Sequence, residues 1–450
     1  MLKKKRLNAF QSISLGFLTV MLIGAFLLML PISSASGEWT PLINALFTST
    51  SATCVTGLVV YDTATHWSMF GQLVILILIQ IGGLGVISFT GYILLLFGKK
   101  IGLDERNKMQ TAISAPSLQG IVKMTIFILK VTALVEGTCA VLLSIRFIPD
   151  FGFLKGVWYS IFHSISAFCN AGFDLMGSVS GPFSSLTSYV NNFTVTMTIC
   201  GLIIFGGIGF PVIIDVMKNK KLSKLNIHSK IALLTSAILI VIGMLFVLLV
   251  ESNNPDTLGR LSIKGKLLSS FFQSVTVRTA GFNTIDLSIM HESTMFVMII
   301  LMFIGASPAS TGGGVKTTTI ATLILTVKAF ILEKQDVEVY NRRIGGMTIR
   351  KSLGIFFIAT VVVVCGTLII SLTDSNFNLI ESGFEVVSSF ATVGLSIGGS
   401  ANLTTMAKIL IMIFMFMGRV GSLTIFMALA SRGVKNNSPI RYPEGKIIVG

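Results

Sequence analysis

The chain has 450 residues, of which 52% are hydrophobic and only 12% are charged, and its mean hydropathy is +0.85. A soluble domain cannot carry so much apolar surface, so the composition excludes a soluble protein and indicates a polytopic membrane protein. The net charge of +15 comes from basic runs between apolar segments, which membrane topology and anionic lipid explain without nucleic acid.

The N-terminal segment is compatible with two interpretations. Its basic start, its apolar run and Ala35 resemble a signal peptide with a cleavage site. However, the apolar run over residues 13–32 is longer than the roughly 7–15 residues of a signal-peptide core. It is long enough to cross a bilayer. We therefore predict a permanent transmembrane helix.

Eight apolar segments can each cross a bilayer as a helix, which takes about 20 residues. They cover residues 13–32, 70–98, 121–145, 193–216, 231–250, 295–331, 353–372 and 409–429. Basic connections (3–6, 99–108, 218–230, 328–351 and 432 onward) alternate with long connections that are mostly poor in Lys and Arg. By the positive-inside rule the basic connections and both termini are cytoplasmic.

The four long polar connections contain an internal repeat. They align on Gly57, Gly172, Gly281 and Gly394, which are 115, 109 and 113 residues apart. A phenylalanine stands ten residues before each glycine, and the helices that follow contain "IGGLG", "FGGIG", "IGASP" and "MGRVG". We predict an all-α fold of four helix–pore loop–helix units around one central pore. The units cover residues 1–98, 99–217, 218–331 and 332–431, with a cytoplasmic tail over 432–450.

Each aligned glycine follows about ten residues of mixed apolar and hydroxyl character. Such a helix is roughly 15 Å long, half a bilayer, so the segment enters and returns. Its non-helical return leg can line an aqueous path, where backbone carbonyls replace the hydration shell of a cation. No carboxylate is present, which favours a monovalent cation over calcium. The predicted ion-binding residues are Val55, Thr56, Gly57, Asn170, Ala171, Gly172, Thr279, Ala280, Gly281, Thr392, Val393 and Gly394.

These motifs resemble the Trk/Ktr/HKT superfamily of potassium transporters, and most of all the membrane subunit of bacterial Ktr systems. The matching stretches include "SATCVTGLVVYD", "SISAFCNAGFD", "VTVRTAGFN", "FATVGLSIG", "LMFIGASPASTGGGVKTTT", "MFMGRVGSLT" and "RYPEGK". The resemblance implies potassium selectivity, because some sodium-conducting relatives have serine where this chain has Gly57. It also implies a homodimer with one pore per chain and a separate cytoplasmic ring subunit, of the KtrA or KtrC type, that binds nucleotide.

We predict that an intramembrane loop over residues 305–319 interrupts the second helix of the third unit. Pro308 and the run Gly312, Gly313 and Gly314 should break the helix in mid-membrane. Unwound backbone is acceptable there only beside the aqueous path, so we interpret the loop, with Lys316, as a gate. A phosphate-binding loop is the alternative, but Val315 separates the glycines from the lysine and no strand precedes them.

Three further ionisable residues lie among the apolar segments. Arg419 should face the pore or a partner, because a lone arginine at bilayer depth costs at least about 2.5–3.5 kcal/mol. In the pore it would repel K⁺ and assist the gate; otherwise it forms a buried ion pair. Glu136 is either that partner or a residue of a helix interface. We expect Arg278 to brace the third pore helix through a carboxylate.

The sequence therefore predicts a potassium uptake protein of the bacterial plasma membrane, with both termini cytoplasmic. The alternatives are an alternating-access cation carrier, which also uses broken helices, or a Na⁺/K⁺ symporter. No cluster of His, Asp, Glu or Cys supports an enzyme. We predict no cofactor in this chain; potassium is the transported ion, and sodium is left open as an activator.

Overall fold

The computed structural model describes residues 9–86, 89, 91, 101–113 and 119–421. The predicted basic segment 3–6 and the tail 432–450 therefore lie outside the described residues. The longer helices are α1 (Ala9–Met29), α2 (Leu42–Cys54), α3 (Met69–Leu84), α4 (Leu103–Ile113), α5 (Ile121–Phe151), α6 (Phe153–Phe168), α7 (Phe193–Ile208), α8 (Phe210–Asn219), α9 (Ile227–Glu251), α10 (Ile263–Thr276), α11 (Glu292–Phe303), α12 (Thr317–Ile331), α13 (Gly346–Thr373), α14 (Leu379–Ala391) and α15 (Thr405–Val420).

Shorter elements complete the described fold. Single helical turns cover Pro31–Ser33, Thr63–His66, Gly177–Ser180, Thr187–Tyr189, Leu222–Lys224 and Ser400–Asn402. The strands β1 (Glu338–Val339) and β2 (Arg342–Arg343) pair antiparallel in the connection between α12 and α13. The protein is thus essentially all-helical, as predicted.

Within the part of the chain that the structure describes, four helices are long and apolar enough to cross a membrane. They are α1, α5, α9 and α13, with 21, 31, 25 and 28 residues. Each overlaps one of the predicted spans, and each is the first of these long apolar helices in a predicted unit. Their outward faces carry many exposed leucine, isoleucine and valine side chains, as expected for surfaces in contact with lipid.

The other predicted spans are interrupted. Helices α7 and α8 bend by 96° at Gly209, so the prediction of one continuous helix over 193–216 is wrong. Gly209 has φ 97°, and Gly85 and Gly421, which follow α3 and α15, have φ 84° and 92°. These glycines end the "IGGLG", "FGGIG" and "MGRVG" motifs. Positive φ cannot continue a right-handed helix and suits glycine. Most of the predicted spans beyond Gly85 and Gly421 lies outside the described residues.

The four short helices that precede the aligned glycines lie in the interior. They are α2, α6, α10 and α14, with 13, 16, 14 and 13 residues, about 20–24 Å each at 1.5 Å per residue. Each packs against the long helix before it. In addition, α3 packs on α6, α7 on α10, α11 on α14 and α15 on α2. Thus α3, α7 and α11 each pack on the next short helix along the chain, and α15 packs on the first one. The short helices therefore form a closed ring.

Buried carboxylates tie long helices to the starts of later ones. Glu251, the last residue of α9, is fully buried and accepts hydrogen bonds from His291 N (3.0 Å) and Thr294 Oγ1 (2.6 Å) at the start of α11. Asp374, just after α13, accepts from Thr404 N (2.9 Å) before α15. Glu251, which receives several donors, is held strongly without any cation.

We predict that Glu251→Gln destabilises the protein. Glu251 also accepts from Asn254 Nδ2 and Thr257 Oγ1, and a glutamine would turn an NH₂ group towards these donors. The expected loss is about 1.5–3 kcal/mol, the range for one hydrogen bond to a charged group. Thermal unfolding in detergent measures it as a lower Tm. The matched control is Glu292→Gln, an exposed glutamate in α11, and an equal Tm shift in both variants would contradict the prediction.

Candidate cation pathway

One non-glycine residue with left-handed backbone follows each short helix within three residues of its end. Val55, Asn170, Thr279 and Thr392, each two residues before an aligned glycine, have φ 57°, 60°, 70° and 53°. Three of the four are β-branched, for which this conformation is costly. All four are fully buried. Strained backbone persists only where its surroundings impose it, and it is typical of functional sites.

The four aligned glycines form a closed ring, which we call the glycine ring (Gly57, Gly172, Gly281 and Gly394). Their φ angles are 98°, 70°, 84° and 92°. Each glycine abuts the carbonyl oxygen just before the next glycine. A Cβ would lie 2.5 Å from Ala171 O if added to Gly57, 2.8 Å from Ala280 O at Gly172 and 2.6 Å from Val393 O at Gly281, and at Gly394 it would meet Thr56 O. No side chain fits in this ring.

Hydroxyl groups fix the return legs to the short helices. Ser51 Oγ accepts from Gly57 N and Ser388 Oγ accepts from Gly394 N, both at 3.1 Å. In the second segment Ser166 Oγ donates to Phe173 O at 2.7 Å. In the third, Thr276 Oγ1 donates to Phe282 O. The hydroxyl side chains of these apolar helices therefore set the position of the glycine ring.

The first glycine of the motifs "IGGLG", "FGGIG" and "MGRVG", in α3, α7 and α15, allows close packing behind the glycine ring. A Cβ on Gly82, Gly206 or Gly418 would collide with the carbonyl oxygens of Thr53, Phe168 and Phe390, respectively. Each of these carbonyls lies four residues before a ring glycine. The sequence showed the repetition of this motif, but the role of its first glycine becomes clear only in the structure.

A cavity of about 820 Å³ lies on one side of the glycine ring. Asp62, Asp174, Asp256 and Asp286 line it, and its described lining includes no Lys or Arg. Burial first, and then the Asp62 carboxylate, raise the pKa of the Asp174 carboxyl to about 7, although the Met176 N–H donates to it. Carboxylates around a cleft concentrate cations. The sequence analysis missed these residues, although all four lie in the long polar connections, Asp62, Asp174 and Asp286 after a short helix and Asp256 before one.

On the opposite side, the segment between α11 and α12 covers the ring. This segment, residues 304–316, which we call the intramembrane loop, has no regular helix, which confirms the predicted break around Pro308. The last three residues of the predicted loop, 317–319, belong to α12 instead. Gly312 packs against Thr279, and Gly313 against Thr392, so closely that a Cβ would collide with either hydroxyl group. Gly314 packs on Ala391, where a Cβ would lie 3.1 Å from its methyl group. The glycine run thus lets the loop lie directly against the strained residues.

Backbone and side-chain hydrogen bonds hold this loop. Thr311 N donates to Gly206 O (3.2 Å) and Ser307 N to Gly207 O (3.0 Å), both at the end of α7. Lys316 Nζ donates to the carbonyls of Gly312 (2.6 Å) and Gly313 (3.3 Å). The lysine therefore closes the loop on itself.

Arg419 donates to backbone carbonyls rather than to an acid. Nη1 donates to Thr311 O in the loop, and Nη2 donates to Gly82 O and to Gly83 O (3.1 Å) in α3. Among the described residues it has no carboxylate partner, so the structure does not support the buried ion pair. Glu136 instead accepts from Gln80 Nε2 at 3.3 Å, across the interface of α5 and α3.

The expectation that Arg278 is braced by a carboxylate is wrong. Its Nη2 donates to Gly305 O (3.2 Å) and lies 3.5 Å from Ser236 Oγ in α9. A carbonyl at a helix break carries enough negative charge to accept from a guanidinium group. Arg278 therefore joins the end of α10 to the first residues of the intramembrane loop.

Comparisons with known proteins agree on one family. Residues 4–436 match the family described as "TrkH: Cation transport protein". The chain is 42% identical to "Ktr system potassium uptake protein B" of Bacillus subtilis, over 98% of this chain and 96% of that protein. It is 38% identical to "Potassium/sodium uptake protein NtpJ" of Enterococcus hirae, over 99% and 98%.

A solved structure shares the fold. The potassium transporter TrkH from Vibrio parahaemolyticus superimposes with a TM-score of 0.72 at 19% sequence identity, over 95% of this chain and 86% of that chain. At this identity the likeness establishes the fold alone.

We predict that Gly206→Ala destabilises the protein by about 1–3 kcal/mol, as overpacking does, because its Cβ would strike Phe168 O. The matched control is Gly201→Ala in the same helix, where a Cβ meets nothing within 4 Å. Alanine there should be neutral, or stabilising by up to about 1 kcal/mol. Thermal unfolding of both variants in one detergent tests this, and similar Tm values would refute the close contact.

Proposed function

Because the chain belongs to the TrkH family of cation transport proteins, we propose that it takes up potassium across the bacterial plasma membrane through the glycine ring. The observation that carries the proposal is the approach of four ring glycines to the carbonyls of Thr56, Ala171, Ala280 and Val393. Carbonyl dipoles can replace the water around a monovalent cation. The residues that we assign to ion binding are the twelve named from the sequence, namely each ring glycine and the two residues before it. The division into four units stays a prediction.

We assign the acidic cavity to the extracellular entrance and the intramembrane loop to the cytoplasmic side. Four carboxylates at the entrance would raise the local concentration of cations and exclude anions. This orientation places both termini in the cytoplasm. It agrees with the positive-inside pattern of the basic connections, including the hairpin of β1 and β2 with Arg342 and Arg343.

We propose that the intramembrane loop and Arg419 form the gate. The loop lies against the strained residues beneath the ring, and Lys316 and Arg419 add two positive charges beside the same path. A cation leaving the ring would meet both the backbone of the loop and these charges. Opening requires that Arg419 release Thr311 O or the carbonyls of Gly82 and Gly83.

We propose that the active assembly is a homodimer regulated by a cytoplasmic nucleotide-binding ring subunit. The support is the name of the 42%-identical relative, which is called part of a Ktr system. Regulation fits the gate, because Arg419 and the loop need an input that changes their contacts. The basic connections and membrane lipid provide the docking environment on the cytoplasmic side, and no cofactor is assigned to this chain.

Sodium is the second candidate for a transported or activating ion. The relative from Enterococcus hirae is named for uptake of both potassium and sodium, and it is similar to this chain over nearly its full length. A carbonyl ring without carboxylates does not by itself exclude sodium. Symport and activation differ in whether sodium moves with potassium.

Rubidium uptake into a transporter-deficient bacterium that expresses this chain tests the function. We expect saturable rubidium uptake that potassium inhibits, with stimulation when the ring subunit is also expressed. Parallel sodium-22 uptake separates symport from activation, because only symport carries sodium inward in proportion to rubidium. If cells with confirmed membrane expression show no uptake, with or without the ring subunit, the proposed function is wrong.

Gly57→Ser should lower the preference for K⁺ over Na⁺. Its φ of 98° and the Ala171 O contact leave no room for a Cβ, so the carbonyl ring must shift. Competition of Na⁺ against rubidium uptake measures the change. The matched control is Gly37→Ser, which also has positive φ but is exposed and has nothing within 4 Å. Equal selectivity of both variants and the wild type would remove Gly57 from the filter.

Arg419→Ala and deletion of Gly312 to Lys316 should each raise the potassium flux. The first change removes a positive charge from a low-dielectric path, and the second removes the loop that covers the ring. Because the two elements contact each other, their effects should not add in the logarithm of the rate. The double variant should therefore conduct little faster than the faster single variant.

The matched control for the charge is Lys408→Ala, which removes a half-exposed cation from the same helix, α15. Its flux should equal that of the wild type. Membrane expression is measured for every variant. An unchanged flux in Arg419→Ala at normal expression would show that the arginine only packs, and additive effects would show that two separate barriers exist.

A further inference from the structure

The side chain of Asn170 differs from its three counterparts around the ring. Val55, Thr279 and Thr392 occupy the same position in the other segments, two residues before a ring glycine. Only Asn170 carries a donor and an acceptor on separate atoms, so that it can bond different neighbours with its two ends. Asparagine also tolerates its φ of 60° better than the β-branched residues do.

The amide end of Asn170 reaches the third segment. Its Nδ2 donates to Thr279 Oγ1 at 3.3 Å and to the carbonyl oxygen of Arg278 at 3.4 Å. Because a carbonyl oxygen can only accept, the contact with Arg278 identifies this end as the NH₂ group. Asn170 therefore links the second ion-binding segment to the third.

The carbonyl end of Asn170 reaches the intramembrane loop. Thr311 Oγ1 donates to Asn170 Oδ1 at 3.1 Å and lies 3.4 Å from Phe168 O, at the end of α6. The backbone oxygen of Thr311 is the acceptor for Arg419 Nη1. One loop residue thus contacts the filter with its side chain and the gate arginine with its backbone.

These hydrogen bonds have no solvent to replace them. Asn170, Thr279 and Thr311 all have 0% exposed surface. A buried polar group that loses its partner bears its full desolvation cost, and neighbouring bonds in such a network strengthen one another. If the loop moves, Asn170 Oδ1 must find another donor or the carboxamide must turn, which also disturbs its bonds to Thr279 and Arg278.

We propose that the Asn170 carboxamide couples the gate to the selectivity filter through Thr311. With the loop against the ring, Thr311 fixes the carboxamide, and the carboxamide fixes the second and third segments relative to each other. When the loop withdraws, that restraint is lost and the carbonyls of these two segments are free to move. Ion selectivity then depends on the position of the gate. The inference rests on the proposed function, and Asn170 and Thr311 act in it as positioning residues.

The decisive variant is Thr311→Val, which keeps the β-branched shape and removes only the hydroxyl group. We expect its K⁺ over Na⁺ preference to fall about 2- to 10-fold, which corresponds to the loss of one hydrogen bond of ordinary net strength. Thr311→Ser restores the donor and should recover the wild-type preference. The matched control is Thr125→Val in α5, whose buried hydroxyl donates to Ile121 O in its own helix. It should leave the preference unchanged.

Coupling is tested by combining Thr311→Val with Thr279→Val. Because both threonines bond the same carboxamide, the double variant should lose little more selectivity than the more affected single variant. Fully additive losses would overturn the coupling. So would a Thr311→Val protein with raised flux and unchanged selectivity, because the loop would then act as a simple obstruction.

Failure of this inference differs from failure of the function. If cells that express the wild-type chain take up no rubidium, potassium transport itself is refuted. If the wild-type chain is selective and the Thr311 variants are equally selective, only the coupling is refuted. If Thr311→Val fails to reach the membrane, Thr311→Ala and Thr311→Ser form the deciding pair. Equal selectivity of alanine and serine variants would overturn the proposal, and restoration by serine alone would support it.

Discussion

The structure depends on one constraint, namely that four stretches of backbone must approach one another without any side chain between them. Ring glycines abut the preceding carbonyls of their neighbours at distances that exclude a Cβ. Such an approach leaves polar backbone inside an apolar protein, where each unpaired group is costly. The serine and threonine side chains of the short helices bind part of this backbone, and a passing cation can pair with the rest.

The same constraint extends outward to the surrounding helices. Gly82, Gly206 and Gly418 let α3, α7 and α15 pack against the ends of the short helices. The helices then stop at Gly85, Gly209 and Gly421, each with positive φ. Close packing behind the ring and interruption just beyond it are thus encoded in the same five-residue motif. In the third segment Pro308 takes the place of the last glycine, and the interruption lengthens into the intramembrane loop.

Glycine spacing and hydropathy predicted the long helices, the short helices and the break near Pro308. The glycine alignment was less accurate inside the third short helix, because α10 ends five residues before Gly281, whereas α2 and α14 end three residues before theirs. Consequently Phe272 rather than Phe271 is fully buried. Ser51, Ser166 and Ser388 stand six residues before their ring glycines, where the third segment has Val275, and Thr276 supplies the hydroxyl group in its place. The hydrogen-bond partners of Arg278 and Arg419 could not be predicted, since backbone carbonyls at helix breaks leave no signal in the sequence.

The composition of the intramembrane loop explains how a buried segment can act as a gate. Its glycines and small polar residues have little apolar surface to bury, and Ala306 and Val315 are its fully buried apolar side chains. The hydrophobic effect, about 25 cal/mol per Å², therefore contributes less here than in the packed helices. Besides the close packing of its glycines, the loop is held by hydrogen bonds to α7, Arg278, Arg419 and Asn170. Water entering the path could replace the hydrogen bonds of its backbone. Segments held in this way belong to the least stable parts of a fold. A change at Arg419 alone could therefore shift the loop while the packed helices around the ring stay in place.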